Sequence, residues 1–154
     1  MYDEEFRVFV LAGHPWVSRK TIDPAELYAE PLLMPGSGNC FRDQVLDRCA
    51  TSADKLGESP HVIEGSSLET IRYMVASGVG ITVMPASAVD SIAPDDPLLC
   101  VRRFANPQPI RRVGMVWRTT FPRHRALDVV RGAMLDCHLP GTRPVTRPVT
   151  RGTE

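Results

Sequence analysis

Cys40 and Cys49 stand nine positions apart in a short stretch that begins Gly38-Asn39-Cys40-Phe41-Arg42-Asp43-Gln44. Thiols at such a spacing invite redox or nucleophilic chemistry rather than metal binding. There is no CxxC pair, and no Cys/His spacing of the kind that holds zinc. No metal and no organic cofactor is therefore expected. Gly36, Ser37 and Gly38 break the preceding apolar run Pro31 to Pro35. Asn39 is suited to an N-cap, because its side-chain oxygen accepts a backbone N–H of the first turn. This predicts a helix from about Asn39 to Thr51, with Cys40 at its first position. A helix start carries partial positive charge and Arg42 would add a full one. Both favour thiolate over thiol, and the thiolate is the nucleophile.

Nine helical residues rise about 13 Å and leave the two side chains about half a turn apart. A disulfide needs Cα atoms roughly 5.5 Å apart. On an intact helix the cysteines therefore sit on opposite faces, and a bond between them requires the segment to unwind or fold back. Spacing alone leaves two readings open. One is a reactive Cys40 partnered by Cys49. The other is a pair of buried thiols acting as small hydrophobes.

The elements that must position this stretch read as alternating strands and helices. Phe6 to Leu11 is apolar and rich in β-branched and aromatic residues, a strand ended by Gly13-His14-Pro15-Trp16. His14 stands in a turn with no second histidine nearby, so its predicted role is structural. Asp23-Pro24 opens a short helix through Ala29. Leu32 to Met34 is a buried strand, and after the cysteine helix Ser52 to Ser59 is a polar loop. His61 to Glu64 is a strand. Ser66 and Glu69 form a predicted capping box, opening a helix through Ala76 with Leu68, Ile71, Met74 and Val75 on one face. Gly78 ends it, Gly80 sits at a tight approach, and Ile81 to Met84 is a buried strand. Gly78-Val79-Gly80 lacks the Lys-Ser/Thr or third glycine of a phosphate loop. Leu98 to Arg102 and Val113 to Trp117 are further strands, joined through the rigid Asn106-Pro107-Gln108-Pro109. A final helix, Arg123 to Leu139, would turn Leu127, Val130, Met134 and Cys137 inward. From Gly141 the sequence repeats Thr-Arg-Pro-Val and is expected to be disordered. The alternation implies an α/β fold with mainly parallel pairing.

The chain has 154 residues, 43% of them hydrophobic, enough for one or two small domains with a core. Its 18 basic and 18 acidic residues balance, with no basic stripe, so this piece is not expected to bind nucleic acid by itself. No signal peptide or long apolar run is seen, which predicts a cytoplasmic protein. Four cysteines (Cys40, Cys49, Cys100, Cys137) in such a chain suit redox activity or inertness better than a disulfide framework.

The block Gly38 to Gln44 with Cys49, together with Ser67-Leu68-Glu69-Thr70 and Met74-Val75-Ala76-Ser77-Gly78-Val79-Gly80-Ile81-Thr82, resembles the peroxide-sensing OxyR branch of the LysR-type transcription regulators. The likeness runs from about Tyr2 to about Leu135. The cysteine block is specific to the branch, whereas Gly-x-Gly-Ile and His14-Pro15 are general to LysR-type regulators. The resemblance implies a periplasmic-binding-protein-like α/β regulatory domain. Residues 1–8 would cross over from the first subdomain, and 9–111 would form the second, with the redox cysteines. Residues 112–140 would return as a strand and helix to the first subdomain, and 141–154 would be a disordered tail.

It also implies a mechanism. Cys40 thiolate attacks hydrogen peroxide and Cys49 resolves the product into a reversible disulfide that controls DNA-bound activation. Arg42 and Arg112 would stabilise charge near Cys40, and Asp43 would orient it; Arg112 matches a basic residue close to the reactive cysteine of the branch. Glu69 and Arg72 would serve a dimer or polymerase-facing surface. The implied partners are a second copy (dimer or tetramer), DNA through an N-terminal helix-turn-helix, RNA polymerase, and a glutaredoxin- or thioredoxin-like reductant.

Two departures stand out. The helix-turn-helix and most of the first subdomain are not in this sequence, so it is expected to be a regulatory fragment. Asn39 stands where the branch often has histidine, and it cannot act as a base. The competing functions are a LysR-type effector domain binding a small metabolite, with inert cysteines, and a two-cysteine thiol peroxidase. The second lacks a Pro-x-x-x-Thr-x-x-Cys motif before Cys40, so no enzyme activity is expected.

Overall fold

The computed structural model of the chain describes residues 2–49, 61–90 and 96–145. Its axis is one long strand, β1 (Tyr2–Leu11), flanked by β5 (Ile81–Pro85) and β6 (Leu99–Phe104) along its second half. Around these lie β2 (Thr21–Ile22), β3 (Leu32–Pro35) and β4 (Val62–Gly65), giving the order β2-β6-β1-β5-β3-β4. Along its first half β1 pairs instead with β7 (Ile110–Val113) and β8 (Thr142–Pro144). The change of partners comes at Phe6, whose N–H donates to the Pro109 carbonyl at 3.1 Å.

Pairing is mixed rather than mainly parallel. The pairs β2–β6, β3–β4 and β3–β5 are parallel, as crossovers through helices require. Every partner of β1 is antiparallel to it. β1 continues without a break out of the β7–β8 half. It therefore enters the larger sheet from the opposite end to the strands beside it. It also begins four residues before the apolar run, because each carboxylate of Asp3-Glu4-Glu5 meets an arginine: Arg112 for Asp3, Arg111 for Glu4, Arg7 and Arg143 for Glu5.

Helices cover both faces of the larger sheet. On one face Phe6, Val8, Val10, Leu32, Met34, Ile81 and Val83 pack against Phe41, Val45 and Cys49 of α1 (Cys40–Cys49). On the other, Phe9, Leu33 and Met84 pack against Ile71 and Val75 of α2 (Leu68–Ala76) and Val89 of α3 (Ala86–Val89). The cap of α2 falls one residue later than predicted. Ser67 accepts the Thr70 N–H at 3.1 Å, and Ser66 bonds the Thr70 hydroxyl instead of pairing with Glu69. Gly80 is required where expected, since a Cβ there would lie 2.3 Å from the Pro31 carbonyl oxygen. His14 is structural: its Nδ1 accepts the Trp16 N–H and caps a 3₁₀ turn.

Two expectations at the C-terminal end are overturned. α4 (His124–Asp136) buries none of its residues, so Leu127, Val130, Met134 and Cys137 do not face a core. Val129 and Val130 are 72% and 49% exposed. Leu127 and Met134 are half-buried, and Met134 and Leu135 share a shallow space with Tyr2, Thr142 and Pro144, so the helix is only partly covered. Residues 142–144, expected to be disordered, form β8. Gly141 turns the chain at φ +66°, and backbone pairing to β1 orders a segment with no core side chains of its own. The polar loop Ser52–Ser59 and the second Thr-Arg-Pro-Val repeat lie outside the described residues.

Candidate redox site

α1 starts at Cys40 because Asn39 caps it: the Asn39 Oδ1 accepts the Phe41 N–H at 3.0 Å. That bond commits the Asn39 side chain to the helix. The buried residues of α1 are Phe41, Val45 and Cys49, a stripe at four-residue spacing. The stripe sets the phase. Cys40, half a turn from Cys49, is exposed at the open start, while Cys49 closes the far end at 3% exposure. Both are free thiols in one unbroken helix. Burial pushes the Cys49 thiol up from its ordinary 9.0 to about 12. Its surroundings are apolar: Leu27, Tyr28, Leu32, Val45 and Leu46 line the space beside it, about 10 Å³, room for roughly one water. Cys49 is therefore both out of reach and locked in its unreactive protonated form.

The charged residues expected near Cys40 are mostly engaged elsewhere. Arg42 pairs with Glu64 on β4 and donates to the Pro35 carbonyl at 3.4 Å, fastening the first turn of α1 to the ends of β3 and β4. Asp43 is exposed, and among the described residues its carboxylate makes no hydrogen bond or ion pair. Arg112 forms a two-pronged pair with Asp3 at 2.7 and 2.8 Å, and it is exposed. The arginine that reaches α1 is its neighbour. Arg111 lies over the Phe41 ring, 5.6 Å from the centroid, and bonds Glu4 at 2.7 Å. Alternation along β7 decides this, because Arg111 and Val113 face inward while Ile110 and Arg112 face out.

Glu4 is fully buried and accepts from the Ser87 N–H at the start of α3 as well. A continuous path of contacts thus runs from Phe41 through Arg111 and Glu4 to Ser87. Phe41 also meets Phe6 edge-on, with ring centroids 5.7 Å apart. One residue the sequence reading passed over is Gln44, one turn beyond Cys40. Its side-chain carbonyl oxygen is buried without a hydrogen-bond partner among the described residues. The signal available in the sequence was its place four residues after Cys40, on the same helical face. Cys100 lies half-buried in β6 and Cys137 is exposed at the end of α4, both in other elements than α1.

The LysR substrate binding domain family matches residues 1–136. The DNA-binding transcriptional dual regulator OxyR of Escherichia coli K12 is 36% identical over 145 residues, covering 90% of this chain and 45% of that protein. The reduced form of the OxyR regulatory domain from Pseudomonas aeruginosa is 44% identical with a TM-score of 0.73, covering 88% of this chain and 64% of that one. A reduced form of OxyR from N. meningitidis is 38% identical with a TM-score of 0.80, covering 92% of this chain and 66% of that one. The chain spans about half the length of the curated relatives it matches.

Proposed function

Since the chain belongs to the family of LysR substrate-binding domains, we propose that it is the regulatory domain of a hydrogen-peroxide-sensing transcription regulator. The observation that carries this reading is α1 itself: one helix with an exposed Cys40 at its capped start and a buried Cys49 at its end. The likeness to reduced OxyR domains supports it. In the first step the Cys40 thiolate attacks one peroxide oxygen. The S–O bond forms, the O–O bond breaks, hydroxide leaves, and sulfur is oxidised to a sulfenic acid. In the second, Cys49 gives up its proton and attacks that sulfur. The S–S bond forms and the sulfenic oxygen leaves as water.

The second step cannot occur on the helix as it stands. Its two ends are about 13 Å apart, and Cys49 is closed and protonated. Unwinding α1 removes both obstacles together, so disulfide formation is coupled to a change of shape. Gln44, with its unmatched buried acceptor, suits a peroxide proton near Cys40. Reversal requires a dithiol reductant of the glutaredoxin or thioredoxin kind. In the whole regulator the change of shape would act on a homo-oligomer bound to DNA in the cytoplasm, and so on RNA polymerase.

The test is mass spectrometry of peroxide-treated protein with mapping of cysteine pairs. A Cys40–Cys49 bond that is absent in Cys40→Ser supports the sensor. Bonds confined to Cys100 or Cys137 would sink it. Peroxide consumption should stop at about one equivalent; sustained turnover with a reductant would instead favour a thiol peroxidase.

A further inference from the structure

The first turn of α1 is held from two sides, and neither hold involves a cysteine side chain. Locally, the Asn39 Oδ1 accepts the Phe41 N–H at 3.0 Å. Across the fold, Arg42 donates to the Pro35 carbonyl at 3.4 Å and pairs with Glu64 of β4. The parallel register of β3 and β4 sets Met34 opposite Glu64 and Pro35 opposite Gly65, so both partners of Arg42 come to one end of the two strands. The other Glu64 oxygen, Oε2, faces the turn before the helix: a Cβ on Gly36 would lie 3.5 Å from it. That turn is closed by the Asn39 N–H on the Gly36 carbonyl at 3.3 Å and passes through Gly38 at φ +85°. One carboxylate therefore stands between the turn and the helix it feeds. Among the described residues, Arg42–Glu64 is the one ion pair that ties α1 to another element.

We propose that Glu64 and Asn39 are positioning residues for the disulfide step: they latch the first turn of α1 and so set the balance between dithiol and disulfide. The proposal rests on the peroxide-sensing reading. In that step Cys49 attacks the sulfenic sulfur of Cys40. The S–S bond forms, the S–O bond breaks, and the oxygen leaves as water with the Cys49 proton. The helix must open first, because its rise holds the thiols about 13 Å apart. Opening the first turn breaks the Asn39 cap, and carrying Arg42 away breaks its bonds to Glu64 and Pro35. The latch thus acts on the dithiol form alone and shifts the balance toward it. A cap and a partly exposed ion pair each shift such a balance only severalfold, which tunes the switch without locking it.

The test equilibrates the full chain with reduced and oxidised dithiothreitol and reads the Cys40–Cys49 bond by mass spectrometry. Glu64→Gln removes the ion pair at constant size and is expected to raise the disulfide-to-dithiol ratio about threefold. Asn39→Ala is expected to raise it about fivefold, and Asn39→Ser, which caps as asparagine does, to bring it back. A role confined to general stability would cost both redox forms alike and leave the ratio where it was. Sulfenic acid formation, trapped in a Cys49→Ser background, is expected to run at the same rate with and without Glu64→Gln. A ratio unmoved by Glu64→Gln or by Asn39→Ala overturns the latch while the sensor reading stands. So does an Asn39→Ser variant shifted as far as Asn39→Ala, or a rise in sulfenic acid formation that matches the rise in ratio. A chain that forms no Cys40–Cys49 bond with peroxide overturns the sensor reading and the latch with it.

Discussion

Arg111 lies over the ring of Phe41, and this contact joins the helix that carries Cys40 to the strand that carries Arg111 and, through Glu4, to α3. Phe41 is the residue next to Cys40 and belongs to the buried stripe of α1. Any unwinding of the first turn must pull Phe41 from Phe6 and from Arg111. If oxidation opens α1 as proposed, the change passes through these contacts to β7 and β1.

Arg111 and Arg112 are adjacent but should respond differently to substitution. Arg111→Ala leaves the fully buried Glu4 with only the Ser87 N–H, and is expected to cost roughly 2–3 kcal/mol in chemical denaturation. Arg112→Ala removes an exposed pair with Asp3 and should barely move the midpoint. Equal losses would show that the Glu4 contact is not the stronger anchor.

Thiol labelling at neutral pH should separate the four cysteines. Cys40 is exposed at a helix start and is expected to react fastest, while Cys49, buried with its pKa pushed up to about 12, should label last. Cys137 is the informative competitor because it too is exposed. Faster modification of Cys137 or Cys100 than of Cys40 in the folded protein would count against the assigned site.

Oxidation should change local structure and not only add a bond. In hydrogen exchange, protection of the amides between 41 and 49 should fall or redistribute once a Cys40–Cys49 bond is confirmed, because about two turns must open. The α2 helix, on the other face of the sheet, should change little. Unchanged protection over α1 in the oxidised protein would contradict the coupling.

Alkali should loosen α1. Cys49 keeps its proton in the folded state up to about pH 12, whereas an unfolded thiol loses it near 9.0. Above pH 9 the unfolded state binds fewer protons, so stability falls as pH rises, by at most about 1.4 kcal/mol per unit across that window. A Cys49→Ala variant should show a flatter stability profile between pH 9 and 11. Identical profiles would mean that Cys49 titrates normally.

The exposed valines of α4 predict self-association. Val129 and Val130 are largely exposed, with Leu135 40% exposed on the same helix. Sedimentation should show a concentration-dependent mass, reduced by Val129→Asp with Val130→Asp. A monomer at all concentrations would argue that the face is tolerated in water.

Much of this protein was legible in its sequence. Asn39 placed the start of α1 and the nine-residue spacing placed the two cysteines on opposite faces, since capping and helical phase depend on neighbours within a few residues. Gly80 and the buried strands β3 and β5 were readable for the same reason, and the stripe Phe41, Val45, Cys49 could have told which thiol faces inward. What local pattern could not supply was the partner of each charge. Arg111 rather than Arg112 meets α1 because of the register between β7 and β1, strands about a hundred residues apart in the chain. The antiparallel insertion of β1, the exposure of α4 and the ordering of Thr142–Pro144 against β1 were decided the same way. Each depends on which distant backbone edge or apolar face lies alongside, and only the folded chain brings those together.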